Sequence, residues 1–527
     1  MAGLSGRWLD VAEAVNSPVP FVALDSEPAA EITGAWTAEG LGSAYVAALS
    51  SDVRARHGRH YTPPDLAEHL WRMTRDALGL PPRASCLPGL VRDRASGSGA
   101  LLLPPMREHV KASARMDAAM TLAALPSLIE GSDADPNAVW LANVVLAAEA
   151  LPLLAHVPAS RRRPFPALVT CADGLITGRR LARVEVQNPP YGRVRLTPEE
   201  RQRWSHVLYG HANLYGLFIG AALEDLDDSG VLAALVPTSF TSGLYFSKLR
   251  DTISTSAPLR STAFVAERDG VFANVLQETC LAVFSRRTRS RWTTIASVNG
   301  HVEPVARVKS PRGAGPWLLP RRADDAPTAA SAARLPLRLA DVGYRCSTGP
   351  LVWNRRQADL SPSPGSTAVP VVWAADIDGG RLHRDPARDL LRYLRLRASD
   401  GPSLVLTRPA VLVQRTTAPE QARRLVAAHL AESDLLAWGG RVVVENHVNV
   451  LHSIVEEPIL DGPTLAAVLH SATLDRVIRS LSGSVAVSAY EIESIPLPDA
   501  ETLRTWNGRT DEDLEGAVAF AYRLADV

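Results

Sequence analysis

Val186-Gln187-Asn188-Pro189-Pro190-Tyr191 closes an apolar run, Leu181-Ala182-Arg183-Val184-Glu185-Val186, and the reading of this stretch decides the fold. The run predicts a short buried strand that stops at two consecutive prolines. Neither proline has a backbone N–H to continue a ladder, and the second pushes the first toward an extended conformation. The product is a stiff loop at the carboxyl end of a strand. It offers the side-chain amide of Asn188, the main-chain carbonyl of Pro189 and the flat face of Tyr191. An amide oxygen and a carbonyl can accept two N–H bonds from an exocyclic amine, while the ring stacks on the base that carries it. A proline-rich turn without chemistry is the plain alternative for four residues taken alone. The flanking segments separate the two.

A chain of 527 residues exceeds one ordinary core and predicts two domains. Hydrophobic residues at 46% and charged residues at 21% are those of a soluble globular protein. The 56 basic and 56 acidic residues balance, which excludes a chain that is basic all over but allows a local basic face. Lysine occurs only at Lys111, Lys248 and Lys309. Arginine suits phosphate and guanine contacts, yet a GC-rich genome gives the same bias and is the duller cause preferred here. Cys86, Cys171, Cys280 and Cys346 lie far apart with no CxxC pair, so reduced thiols are expected rather than a metal site or a disulfide framework. No stretch approaches 18 uninterrupted apolar residues and the N-terminus has no signal-like core. A cytoplasmic chain without a membrane span is the expectation.

Residues 1–45 are Pro- and Ala-rich, with a helix expected from about Ala38. Arg59-His60-Tyr61-Thr62-Pro63-Pro64-Asp65-Leu66-Ala67 reads as a helix start with Thr62 as N-cap and Pro63 at N1, because Leu66, Leu70 and Met73 then share a face. A strand at 87–91 leads to Asp93-Arg94-Ala95-Ser96-Gly97-Ser98-Gly99. A strand ending in an acid and then Gly-x-Gly suits the first carboxyl end of a doubly wound sheet, where backbone must approach a ligand closely. Some thirty residues on, Asp133 closes a second strand at the position of a ribose-hydroxyl ligand, and Asp135 with Pro136 begins a helix. A third strand, 167–171, ends before Asp173. Singly, each carboxylate is an ordinary turn residue; three strand-end acids in order before Asn-Pro-Pro-Tyr are not. After the loop come a helix through Leu214, Leu217, Phe218 and Ala221, a buried strand at 231–237, a helix from Thr238 to Ile253, and an antiparallel strand pair across 264–284.

These segments resemble, in order, the motifs of the adenine-N6 DNA methyltransferases of type II restriction-modification systems, in the gamma-class, TaqI-like arrangement. The similarity spans about residues 55–500. The resemblance implies a doubly wound, mostly parallel seven-stranded α/β sheet of the Rossmann-like methyltransferase kind, with a C-terminal mixed α+β target-recognition domain. It divides the chain into an N-terminal segment (1–45), a methyltransferase domain (46–300), a linker (301–340) and a recognition domain (341–527). Tyr61, Thr62 and Pro63 then fold over S-adenosyl-L-methionine, Asp93, Ala95, Gly97 and Gly99 form its glycine-rich turn, Asp133 takes its ribose, and Asp173 with Leu175 takes its adenine. Arg94 stands where the family has proline. Asn188, Pro189, Pro190 and Tyr191 are the catalytic loop, with Asn188 also near the cofactor, and Phe272 is the second stacking face around a flipped adenine. In the C-terminal part, 347–355, 411–417, 445–451 and 481–492 resemble recognition-domain segments, with Arg355, Arg415, Asn446, His447, Asn449, Ser488 and Tyr490 expected against double-stranded DNA. His447 beside Glu445 is read as a hydrogen-bonded strand residue rather than an acid–base catalyst.

No Pro-Asp…Glu-x-Lys cluster is present, so DNA cleavage is expected to depend on a separate restriction endonuclease. A monomer is favoured, with other oligomeric states open. Enzymes acting on RNA or on protein glutamine share Asn-Pro-Pro-Tyr but lack so large a domain after it. A non-catalytic DNA-binding relative is the other alternative, resting on Arg94 alone.

Overall fold

The strand expected before Asn188 is present as Ala182–Gln187, with every residue but Arg183 buried. Such a strand needs neighbours on both sides and cover on both faces. The computed structural model supplies both; it describes residues 37–48, 62–163, 165–265, 278–287, 291–417 and 421–523. Two units are distinguished, Met1–Phe240 with Tyr245–Ala314 and Thr241–Leu244 with Gly315–Val527.

The first unit is built on nine strands: β1 (Val91–Asp93), β2 (Ile129–Asp133), β3 (Val169–Cys171), β4 (Ala182–Gln187), β5 (Leu226–Pro237), β6 (Leu259–Val265), β7 (Thr279–Ser285), β8 (Trp292–Asn299) and β9 (His301–Lys309). Their order is β9-β8-β6-β7-β5-β4-β1-β2-β3. Strands β3, β2, β1, β4 and β5 are mutually parallel, and β7 runs antiparallel between β5 and β6. These seven strands are the expected doubly wound sheet. Two more extend it: β8 pairs parallel with β6, and β9 returns antiparallel with a bulge at Ile295/Ala296. The interval read as a linker, 301–340, is therefore structured. It opens with β9, because Ile295 and Val298 bury against the sheet and draw the hairpin onto it, and it continues with the helix Ala326–Ala332.

Among the described residues, the helices that build this unit's core include α1 (Ala38–Ala48), α2 (Pro64–Leu78), α3 (Leu103–Ala112), α4 (Ala118–Leu128), α5 (Pro136–Leu154) and α6 (Leu214–Glu224). Leu66 and Leu70 of α2, Met106 of α3 and Val145 of α5 share one core with Val184, Val186, Val231 and Leu235 of the central strands. Asp135 caps α5 by accepting from the Asn137 N–H, with Pro136 in its first turn. Among the described residues α5 is the one helix long and apolar enough to cross a membrane, and 61% of its most apolar span is buried inside the fold. Two local expectations change. The first strand is Val91–Asp93 rather than 87–91, and α2 begins at Pro64 with no side-chain cap. Thr62 is not the cap because its hydroxyl is committed elsewhere.

The second unit is mixed α+β. Tyr344–Thr348, Val448–Ser453, Ala410–Gln414 and Ala427–Leu430 form an antiparallel sheet, and Leu360–Ser361, Tyr393–Arg395, Ala368–Val372 and Val443–Val444 form a mixed one in which the last two pair parallel. The helices Gly462–His470 and Ala472–Leu481 close a core of Val411, Val413, Leu451, Leu465 and Ile478.

Candidate functional site

Adjacent strands lie about 4.8 Å apart, and β4, β1, β2 and β3 are consecutive in the sheet. In register, Val91 faces Val184 and Ile129, Asp93 faces Gly131, and Asp133 faces Cys171. Asn188, Asp93, Asp133 and Asp173 thus leave four neighbouring parallel strands at the same end. The β1–β4 pair is also where the strand order reverses direction, the place at which open α/β sheets hold ligands.

Asn188 is half-buried in the loop after β4, and both ends of its amide are engaged. Its Nδ2 donates to the Thr62 hydroxyl at 2.9 Å, and its Oδ1 accepts from the Tyr191 hydroxyl at 2.8 Å. The same hydroxyl lies 3.1 Å from the Leu235 carbonyl on β5. Burial pushes the Tyr191 phenol up, so it keeps its proton and donates. Its ring meets Tyr215 edge-on at 6.2 Å, and Tyr215 in turn stacks on Phe246 at 4.8 Å. The aromatic face is propped from behind.

The glycine-rich turn follows β1. Gly97 and Gly99 have φ of 51° and 87°, the left-handed region that favours glycine. A Cβ on Gly97 would meet nothing within 4 Å, whereas one on Gly99 would come 3.4 Å from Ala142, so the turn is open at Gly97 and packed on α5 at Gly99. The Gly97 N–H donates to Asp133 Oδ2 at 2.9 Å, and Asp133 Oδ1 accepts from the Asp135 N–H at 2.9 Å. Asp93 is buried and accepts from the Ala95 N–H at 3.0 Å. Burial pushes its carboxyl well above the usual range, and nearby Asp133 and Glu185 push the same way. Asp173 is exposed, holds the Leu175 N–H at 2.9 Å and keeps its remaining acceptor positions outward. A local excess of carboxylate beside an open glycine turn fits a ligand that carries a positive charge and hydroxyl donors.

One consequence of Asp93 is measurable. A carboxyl whose folded pKa is raised favours the fold at low pH, and that contribution is lost as pH rises through the folded value. Asp93→Asn should therefore melt at least about 2 °C above the parent at pH 8, with the gain shrinking toward pH 4 where both side chains are neutral. A gain that grows on acidification would contradict the assignment.

Arg94, the residue in place of proline, is fully buried and clasps the turn. Its Nε and Nη2 meet Glu185 at 3.1–3.3 Å, Nη2 meets Asp225 at 2.6 Å, and Nη1 donates to the Gly174 and Ile176 carbonyls at 3.3 and 2.9 Å. Arg92, two residues earlier on the same face, bridges Glu130 at 2.7 Å and Glu185 at 3.1 Å. Burial lifts Glu185 to about 6 even so. Gly174 passes so close that a Cβ there would sit 2.1 Å from the Arg94 carbonyl. The side chain thus ties the first turn to the loop after β3. Sequence reading missed this network; its signal was two buried arginines, Arg92 in β1 and Arg94 just after it, with one glutamate in β4, charges that buried segments carry only when partnered.

Tyr61 and Phe272, expected beside the cofactor and on the far side of the base, lie outside the described residues. In the second unit, the four recognition-like segments converge. Arg415 N donates to the His447 carbonyl at 2.7 Å, Asn446 N to the Leu351 carbonyl at 2.9 Å, and Val487 N to the Arg415 carbonyl at 2.8 Å. Gly349 presses on the Glu445 carbonyl, which a Cβ would approach to 2.2 Å. Arg355 is exposed, and Asn446 and Tyr490 are half-buried. Arg415 Nη1 is held by the Asn446 carbonyl at 3.1 Å. The His447 ring is held at Nδ1 by buried Glu445 and stays partly open to solvent. Two expected contact residues are used inside the fold instead. Asn449 is buried, with Nδ2 on the Val487 carbonyl at 2.9 Å. Ser488 caps the helix Ala489–Glu493 in a reciprocal box with Glu491.

Against this geometry, the family profile described as "Eco57I restriction-modification methylase" matches residues 185–272, beginning inside β4 and including the whole Asn188 loop. Type II methyltransferase M.PstI of Providencia stuartii is 25% identical over 345 residues, covering 62% of this chain and 67% of that protein. The chain is similar to type II restriction-modification methyltransferases. The fold likeness extends further than the methylase profile. The type IIL restriction-modification enzyme MmeI, solved in complex with DNA, aligns over 92% of this chain and 77% of its own with a TM-score of 0.50 at 12% identity. The type IIG restriction endonuclease BpuSI aligns over 92% of this chain at 13% identity and a TM-score of 0.45, and this chain spans 63% of its length.

Proposed function

We propose that this chain is a DNA methyltransferase that moves the methyl group of S-adenosyl-L-methionine to N6 of an adenine turned out of duplex DNA. The observation that carries this reading is the Asn188 loop: an amide oxygen and a propped aromatic ring at the end of β4, next to the open glycine turn and acids of β1 and β2. The likeness to type II methyltransferases supports it. Gly97 and Gly99 would let the cofactor approach the backbone, Asp133 would accept from its ribose hydroxyls, Asp173 and Leu175 would meet its adenine, and Asp93 would face its positive charge. The cofactor supplies a methyl group already activated on a sulfonium.

The chain's own task is positioning. Asn188 Oδ1 and the Pro189 carbonyl accept the two N6 hydrogens, which directs the nitrogen lone pair toward the methyl group and stabilises charge as it develops on the amine. Tyr191 supplies a stacking face, which offsets the few kcal/mol of unstacking. In the second unit exposed Arg355 and the partly open ring of His447 would serve phosphate and base-edge contacts, with half-buried Arg415 held by the Asn446 carbonyl. A separate restriction endonuclease cutting the same sequence, within the cytoplasm, is the partner this reading implies. Single-molecule methylome sequencing of DNA from cells expressing the chain tests it: N6-methyladenine within one short sequence word is the expected result, and unmodified DNA overturns it.

A further inference from the structure

We infer that Thr62 is a positioning residue for the acceptor amine, anchoring the Asn188 side chain where its Oδ1 can receive it; this deepens the reading proposed above and rests on it. Thr62 is buried beside the start of α2, and its hydroxyl lies 2.9 Å from Asn188 Nδ2. An asparagine amide is nearly symmetric in shape but not in chemistry, since one end only donates and the other only accepts. If the two ends exchanged, Asn188 would turn an –NH₂ toward an incoming –NH₂, and no hydrogen bond could form.

Thr62 takes one N–H of the amide. On the other side the Tyr191 hydroxyl spends its single proton between Asn188 Oδ1 at 2.8 Å and the Leu235 carbonyl at 3.1 Å. Oδ1 has two lone pairs, so one is left for the N6–H of a target base. When the base arrives, the Tyr191 proton can pass wholly to the Leu235 carbonyl, which costs no donor. Thr62 then remains the contact that holds the Asn188 side chain in place. Its hydroxyl is thereby engaged with the catalytic loop, where the family resemblance alone assigns the residue to the cofactor.

The test uses the full chain, tritiated S-adenosyl-L-methionine and unmethylated genomic duplex DNA. Thr62→Val keeps the shape and removes the hydroxyl; kcat at saturating cofactor should fall about tenfold or more, the scale of one buried hydrogen bond turned into a mismatch, while cofactor Kd by calorimetry stays at the parent value. Thr62→Ser restores the hydroxyl and should recover most of the lost turnover. Weakened cofactor binding in Thr62→Val with kcat unchanged would overturn the inference, because the hydroxyl would then serve the cofactor. Turnover kept in the Val variant but lost in the Ser variant would overturn it as well, assigning the role to the methyl group. A parent chain that methylates no DNA adenine sinks the underlying reading instead, and with it this one.

Discussion

Asn188→Ala lowers methyl transfer by about 10²–10³-fold, the loss expected when one pre-aimed hydrogen-bonding group is removed from a developing charge, while cofactor and DNA affinities stay near those of the parent. The separation follows from the geometry. The Asn188 amide touches Thr62 and Tyr191 within the first unit, and neither contact carries the fold. Losing both costs about 1–3 kcal/mol of stability, too little to unfold a domain of this size. Single-turnover transfer from labelled cofactor at saturating DNA measures the effect directly. Asn188→Asp keeps the acceptor oxygen while exchanging the donor to Thr62 for a second, charged one, so it should retain more activity than alanine. Turnover by the alanine variant near that of the parent would remove Asn188 from the reaction.

Replacing Arg94 has the other large effect, on the fold. The guanidinium satisfies Glu185, Asp225 and two carbonyls of the loop after β3, all in a region shielded from water. Removing one partner of a buried ion pair leaves its carboxylates uncompensated, and Arg94→Met should cost about 3–5 kcal/mol, lowering the melting temperature by about 6 °C or more. Arg94→Pro, which places there the residue the resemblance leads one to expect, should fare no better. A proline stiffens the turn but makes none of the six hydrogen bonds that replace that stiffness here. A proline variant that melts with the parent and binds cofactor equally well would make the clasp dispensable.

The departure at position 94 marks how far the sequence could be read. The ends of the parallel strands were legible, because an apolar run that stops at Asp133, Asp173 or Asn188 declares both its burial and its exit. Arg92 and Arg94 were opaque for the opposite reason: their partners lie 38 to 131 residues away, and no local spacing announces them. Strand β1 was displaced for the same cause, two of its three buried residues being charged and Pro88 and Gly89 breaking the run before it. In the second unit the four segments were recognisable as a group. The use of each side chain was not, since Asn449 finds its acceptor 38 residues further on at Val487. Thr62 looked like a helix cap on the strength of the proline after it. It is engaged instead with a loop 126 residues downstream.

Strand β9, the outermost of the first unit's sheet, shapes how this protein behaves in concentrated solution. Its backbone is the last in the row, and an open row of N–H and C=O groups invites another chain to dock onto it. Pro304 lacks the N–H such docking needs, the bulge opposite Ile295/Ala296 twists the ribbon, and exposed His301, Glu303, Arg307 and Lys309 set charge or polarity along it. The strand beneath the hairpin, Leu259–Val265, is guarded only at its start, by Arg260 and an irregularity at Leu259/Ser261, and its last four residues are buried. Cutting away 291–310 would turn that apolar end into a landing strip for its own kind, so the hairpin serves as the cover of this side of the sheet.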